Sequence, residues 1–104
     1  MNVKQLINEL NEHISKNYRD FKGTYLYGSR VRGNFKPDSD IDLISLFEWT
    51  DREKESYIYD AIVDLEYKYD IFIDFQQYTY EELRKNPVFY DQVVNKGIFY
   101  AAGT

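Results

Sequence analysis

The chain has 104 residues, 43% of them hydrophobic, 18% aromatic and 30% charged, a composition far from that of a disordered chain and a length that suits one domain around one core. A net charge of −5 opposes non-specific attraction to the phosphate backbone of a long nucleic acid, although a metal ion and local arginines still allow a small phosphorylated ligand. The absence of cysteine removes disulfides, zinc–thiolate sites and thiol chemistry, and no stretch approaches the roughly 20 apolar residues of a membrane span.

The opening MNVKQLINEL carries polar residues every few positions, so no secretory leader is expected and the cytoplasm is the expected location. Val3, Leu6, Ile7, Leu10, Ile14 and Tyr18 recur at the spacing of one helical face, which predicts a first helix ending before Gly23. Thr24 to Tyr27 is short, β-branched and aromatic, and reads as a strand that stops at a tight turn at Gly28 and Ser29. Asn34 to Ser39 holds Pro37 and several turn formers and is a surface loop; Asp40 to Phe47 is a second strand.

Thr50 or Asp51 can cap a helix whose apolar face is Ile58, Ala61, Ile62, Leu65 and Tyr69. Ile71 to Phe75 is a third strand, apolar except for Asp74. Thr79 with Glu82 three positions on matches a capping box, Pro87 interrupts or restarts that helix, and Val88 to Asn95 is a last helical segment with Gly97 as its cap. The final IFYA is either an edge strand or an extended tail. This order predicts one α/β domain over residues 1–104, a small sheet with helices packed against it.

Strand side chains alternate between faces, so Asp40 and Asp42 share a side about 7 Å apart along the strand, with Ile41 and Leu43 turned to the core. The same parity puts Phe72, Asp74 and Gln76 on one face of the third strand. If the second and third strands are neighbours, Asp40, Asp42 and Asp74 converge at one end of the sheet. Half-buried carboxylates are costly unless a cation or hydrogen bonds compensate them. Three oxygen donors on a rigid platform suit Mg²⁺, one or two ions of which can bridge a nucleotide's phosphates. The Gly28–Ser29 turn allows close approach of backbone N–H groups to an anion, and Arg30, Arg32 and Lys36 follow within reach of phosphate charge.

Taken singly, each feature has a plainer explanation. A DxD pair usually marks a turn, a helix cap or a solvated strand end. Asp38 and Asp70 read as turn residues, and His13, the one histidine, as a solvated helix residue. Arg30 and Arg32 can be ordinary surface charges. The 11 tyrosines build an aromatic-rich core and surface, and exposed ones would suit a protein interface.

Joined, the features carry a resemblance. GS, ten residues, then DxD, with a lone Asp between apolar residues on a later strand, resembles the nucleotidyltransferase superfamily related to DNA polymerase β. GSRVRG followed by DSDIDL in so short a chain is similar to the minimal nucleotidyltransferases, the MNT or MntA-like antitoxin partners of HEPN toxins, and the closing NKGIFYAAG resembles that family's ending. Val31 departs from it, standing where a small Ala is common, and NFKP fills a variable loop. The resemblance implies a small mixed β-sheet flanked by helices, with Asp40 and Asp42 binding two Mg²⁺ ions and Asp74 completing the metal site and helping deprotonate the attacking hydroxyl. It also implies that Gly28 and Ser29, with Arg30 and Arg32, contact the phosphates of ATP.

The expected function is transfer of AMP to a hydroxyl, a tyrosine, of a partner HEPN toxin, which silences it in a hetero-oligomer. A catalytically silent antitoxin that acts by contact alone is the alternative. Transfer to a small molecule ranks third, because the chain offers no segment for an acceptor pocket.

Overall fold

The computed structural model describes residues 2–33 and 36–103. Asn34 and Phe35, the start of the expected surface loop, and the two terminal residues of the expected 1–104 domain lie outside the described residues.

Helix α1, Val3–Ser15, begins at Asn2, whose side chain accepts from the Gln5 amide, and buries Leu6, Ile7, Leu10 and Ile14 as the periodicity predicts. It stops well before Gly23. Tyr18 therefore lies beyond the helix and meets the core from the connecting turn, its ring edge-on to Phe47. Strand β1, Phe21–Tyr27, starts earlier than the pattern suggests, because Gly23 lies inside it at a β-bulge. Gly23 has φ +144°, and a Cβ there would collide with the Phe99 ring and the Tyr100 carbonyl of the strand crossing beside it. What looks like a breaker is a close-packing position.

After the four-residue helix α2, Ser29–Arg32, strand β2 runs Ile41–Phe47 antiparallel to β1. Asp51 caps α3, Arg52–Tyr69, by accepting from the Lys54 amide at 2.7 Å. Ile58, Ala61, Ile62 and Leu65 are buried as expected, and Asp70 ends the helix in a left-handed conformation with φ 52°, the turn role read from its position. Strand β3, Ile73–Thr79, pairs parallel to β2. It reaches past the apolar IFIDF run because an edge strand needs only one well-buried face, so Gln76 to Thr79 continue the ladder.

The Thr79–Glu82 capping box is formed in full and starts α4, Tyr80–Arg84. Pro87 occupies the first turn of α5, Pro87–Tyr90, which widens into a π-helical turn over Asp91–Asn95. Gly97 follows just past the end, its N–H bonded to the Val93 carbonyl. The closing segment is an edge strand, β4, Ile98–Ala101, antiparallel to β1.

The sheet order is β3-β2-β1-β4, mixed in direction. One face carries α1 and α3 over a core of Leu26, Ile41, Leu43, Phe47 and Ile73, against which Val31 also packs. The other carries a smaller cluster of Tyr25, Ile44, Leu46, Leu83 and Val93 under α4 and the π-helical turn. Among the described residues no helix is long and apolar enough to cross a membrane.

Candidate active site

The second face of the sheet is covered only in part, and the aspartates lie at its end. Asp42 alternates with Ile41 and Leu43, which enter the main core, so its carboxylate falls on the face of Ile44's cluster. Because β2 and β3 are parallel, Asp42 stands beside Asp74 in register, on strands about 5 Å apart. Asp40 is the residue before β2, held where the Ile41 amide bonds to the Phe72 carbonyl at 3.0 Å. Asp42 is half-buried, whereas Asp40 and Asp74 are exposed.

The surroundings of Asp42 raise its pKa above the ordinary carboxylate value. Burial is the largest cause, the carboxylates of Asp74 and Asp40 add to it, and Arg32 opposes it. Tyr27 stands opposite Asp42 in the β1–β2 register, and its phenol is pushed upward by burial first and then by Asp42 and Asp74. The sequence reading did not assign Tyr27. Its position just before Gly28 was visible, but its alignment with Asp42 depends on the antiparallel register.

On the other side of the site, Gly28 ends β1 and caps α2 at φ 80°, ψ −149°, a conformation only glycine adopts readily. A Cβ there would collide with Asp42 Oδ2. The turn backbone and the half-buried carboxylate are thus in direct apposition, which joins the GS and DxD motifs in space. The amides of Val31 and Arg32 close on the Gly28 carbonyl, both at 3.1 Å, leaving Ser29 at the first position of α2. Arg32 is exposed and close enough to act on Asp42. Arg30 is placed differently: its Nη2 donates to the Ser39 carbonyl at 2.8 Å and reaches that of Pro37 at 3.5 Å. Asp38 is in the turn of that same loop, and His13 is exposed on α1, stacked on Tyr57.

The donor set fits a hard divalent cation. Asp42 and Asp74 share one face in register, Asp40 is near enough to act on Asp42, whose anion is disfavoured first by burial and then by the two neighbouring carboxylates, and all three offer oxygen. Among the described residues no three His, Asp or Glu side chains are drawn together closely enough to cage a metal by themselves. Mg²⁺ is held in most nucleotide sites by one or two carboxylates together with substrate phosphates, so an open set of this kind suits it.

Comparison with known proteins agrees with the fold. The family described as "Polymerase beta, Nucleotidyltransferase" matches residues 8–100. A mutant of the toxin–antitoxin pair MntA–HpeT is 24% identical over 100% of this chain and 75% of its own, with a TM-score of 0.64. A toxin–antitoxin with AMP-PNP is 23% identical over 88% of this chain and 70% of its own, with a TM-score of 0.61. An MNT antitoxin complexed with tri-AMPylated Shewanella oneidensis HEPN toxin is 22% identical over 91% of this chain and 69% of that one, with a TM-score of 0.55. At these identities the likeness is one of fold. No curated protein matches the sequence.

Proposed function

The chain belongs to the polymerase beta nucleotidyltransferase family, and from that premise we propose that it is a cytoplasmic antitoxin that transfers AMP from ATP to a tyrosine hydroxyl of a partner HEPN toxin. The observation that carries the reading is the apposition of Gly28 to Asp42, with Asp74 in register beside it. That arrangement brings a phosphate-binding turn against a carboxylate set, which nucleotidyl transfer requires and a simple binding surface does not.

Asp40, Asp42 and Asp74 are the residues that would hold Mg²⁺, as a pair of ions, and Gly28, Ser29 and Arg32 those that would hold the triphosphate. The chemistry Mg²⁺ would supply there is neutralisation of the phosphates and of the charge that develops on the leaving pyrophosphate. Asp74, exposed at the open end of the site, accepts the proton of the attacking hydroxyl. The hydroxyl oxygen bonds to the α-phosphorus, the bond from that phosphorus to the bridging oxygen breaks, and pyrophosphate leaves.

A protein acceptor is supported by the relatives that are antitoxins in complex with toxins, one of them with an AMPylated HEPN toxin. It also suits the surface. A groove of about 590 Å³ between the end of α3 and the loop leading to Asp40 is lined by Val63, Glu66, Tyr67, Asp70, Phe72 and Asp38, and the Tyr67 and Phe72 rings are 84% and 73% exposed. Aromatic surface of this kind favours a protein partner.

The test is intact-mass measurement of a HEPN partner incubated with the protein, Mg²⁺ and ATP, with Asp42→Asn as control. The expected result is a gain of one or more AMP units with the wild type alone. A stable complex that blocks the toxin with no mass gain would replace this reading with neutralisation by contact.

A further inference from the structure

We propose that Arg30 is a positioning residue that ties the loop bearing Asp40 to the short helix that follows Gly28, and that it does not bind the nucleotide. Its place two residues after Gly28 suggests a phosphate contact, but its guanidinium is turned to the loop that precedes β2. Nη2 donates to the Ser39 carbonyl at 2.8 Å and reaches the Pro37 carbonyl at 3.5 Å.

The Ser39 carbonyl belongs to the peptide plane whose nitrogen is that of Asp40, so the clamp acts one bond from that residue. The loop it grips is already closed on itself: the Ser39 amide donates to the Lys36 carbonyl at 2.9 Å, and the Lys36 amide donates to Ser39 Oγ at 2.9 Å. On the far side of Asp40, the Ile41 amide is fixed by the Phe72 carbonyl at 3.0 Å. Asp40 itself precedes the strand. It is therefore positioned by its two neighbours, one held by the ladder and the other by Arg30.

Because Arg30 is part of α2, the same short turn that presents Gly28 and Ser29 also holds the loop bearing Asp40. One side chain thus sets the separation between the phosphate-binding turn and the first carboxylate. A guanidinium is well matched to this role, since its planar, pre-organised amino group can aim both of its N–H bonds at two carbonyls, whereas an ammonium is a strongly hydrated point charge on a flexible stem. The positions of reacting groups matter on the scale of about 1 Å, for which the loss is about 100-fold.

The inference rests on the reading of Asp40 as a metal ligand, and the experiment separates the two. Arg30→Met, Arg30→Lys and Asp40→Asn are compared with wild type by amide hydrogen exchange, by Mn²⁺ affinity from electron paramagnetic resonance, and by ATP binding in EDTA. Arg30→Met is expected to speed exchange over residues 36–41 and leave the rest of the sheet protected. It should weaken Mn²⁺ binding about 10- to 100-fold and leave metal-free ATP binding unchanged, with Arg30→Lys between it and wild type. Unchanged exchange and Mn²⁺ affinity with weaker metal-free ATP binding would overturn the proposal and make Arg30 a phosphate ligand. If Asp40→Asn weakens Mn²⁺ binding and neither Arg30 variant does, the clamp alone is wrong. If Asp40→Asn leaves Mn²⁺ binding intact, the metal-site reading fails and takes this proposal with it. Should Arg30→Met not fold, Arg30→Lys carries the test.

Discussion

Gly28 and Asp42 explain each other. The turn conformation at Gly28 excludes other residues, and the space a Cβ would need is taken by the Asp42 carboxylate. Gly28→Ala should therefore cost about 1–3 kcal/mol in a urea titration and abolish AMP transfer, since relief requires the turn or the carboxylate to move. Asp42→Asn should abolish transfer as well, yet stabilise the fold. The folded pKa of Asp42 lies above its unfolded value of 3.8, so between the two values the native state holds a proton that the unfolded chain has released. Stability from this group is full below pH 3.8 and is lost as pH rises through the folded pKa. At neutral pH, without metal, Asp42→Asn should melt above wild type, and the gain should vanish in acid; a variant less stable than wild type at pH 7 would show that the carboxylate is already compensated. The DxD spacing and parity were legible in the sequence because strand alternation is local. Tyr27's place beside Asp42 was not, because it depends on how two strands pair, and neither was the direction Arg30 takes, because nothing in GSRVRG says whether the side chain turns outward or back on the loop.

At the scale of elements, the errors of the sequence reading lie where tertiary contacts override local pattern. Gly23 reads as a stop, but β4 crossing beside it turns it into a packing position, and β1 extends through it. The third strand reads as Ile71–Phe75, but it starts at Ile73 and the parallel partner β2 carries its ladder to Thr79. Lys54, on which the sequence reading was silent, shows tertiary contacts at their strongest. It is four residues before Ile58, so its helical position is apolar, and its side chain is fully buried. Its Nζ is 2.7 Å from Asp20 Oδ2 and 2.8 Å from the Trp49 carbonyl, beneath the Trp49 ring at 3.3 Å from the centroid, with the Phe47 ring at 4.3 Å. This one ammonium joins the start of α3 to the turn before β1 and the end of β2. Lys54→Ala strands a nearly buried carboxylate and opens a cavity, and should cost about 3–5 kcal/mol in chemical denaturation. Lys54→Met keeps the contacts with the rings and should cost less; equal losses would mean that the charge pair, and not the packing, fixes this corner.

The whole molecule puts its larger core and its candidate site on opposite faces of one sheet. α1 and α3 bury the larger core on one face, and this side also holds the buried chain Thr24 Oγ1 to Asn11 Oδ1 at 2.7 Å and Asn11 Nδ2 to the Tyr100 carbonyl at 2.9 Å, which ties α1 through β1 to the edge strand. The other face carries the smaller cluster under short helices, with Asp42 half-buried and Asp74 exposed at the start of their strands. A domain of this size has little stability to spare, so a ligand that binds only the folded state should register strongly. Mg²⁺ with a non-hydrolysable ATP analogue at about 100 times its Kd adds about 2.7 kcal/mol, or a rise in Tm on the order of 10 °C for a domain this small. Either component alone should give less, because the open carboxylate set is completed by phosphate oxygens and the phosphates by the cation. Asp42→Asn and Asp74→Asn should lose most of the combined shift in differential scanning fluorimetry, and Lys22→Ala, on the exposed Glu48 pair remote from the site, should keep it. A full shift in both aspartate variants would place the nucleotide elsewhere on the molecule, and the division of labour between the two faces would have to be drawn again.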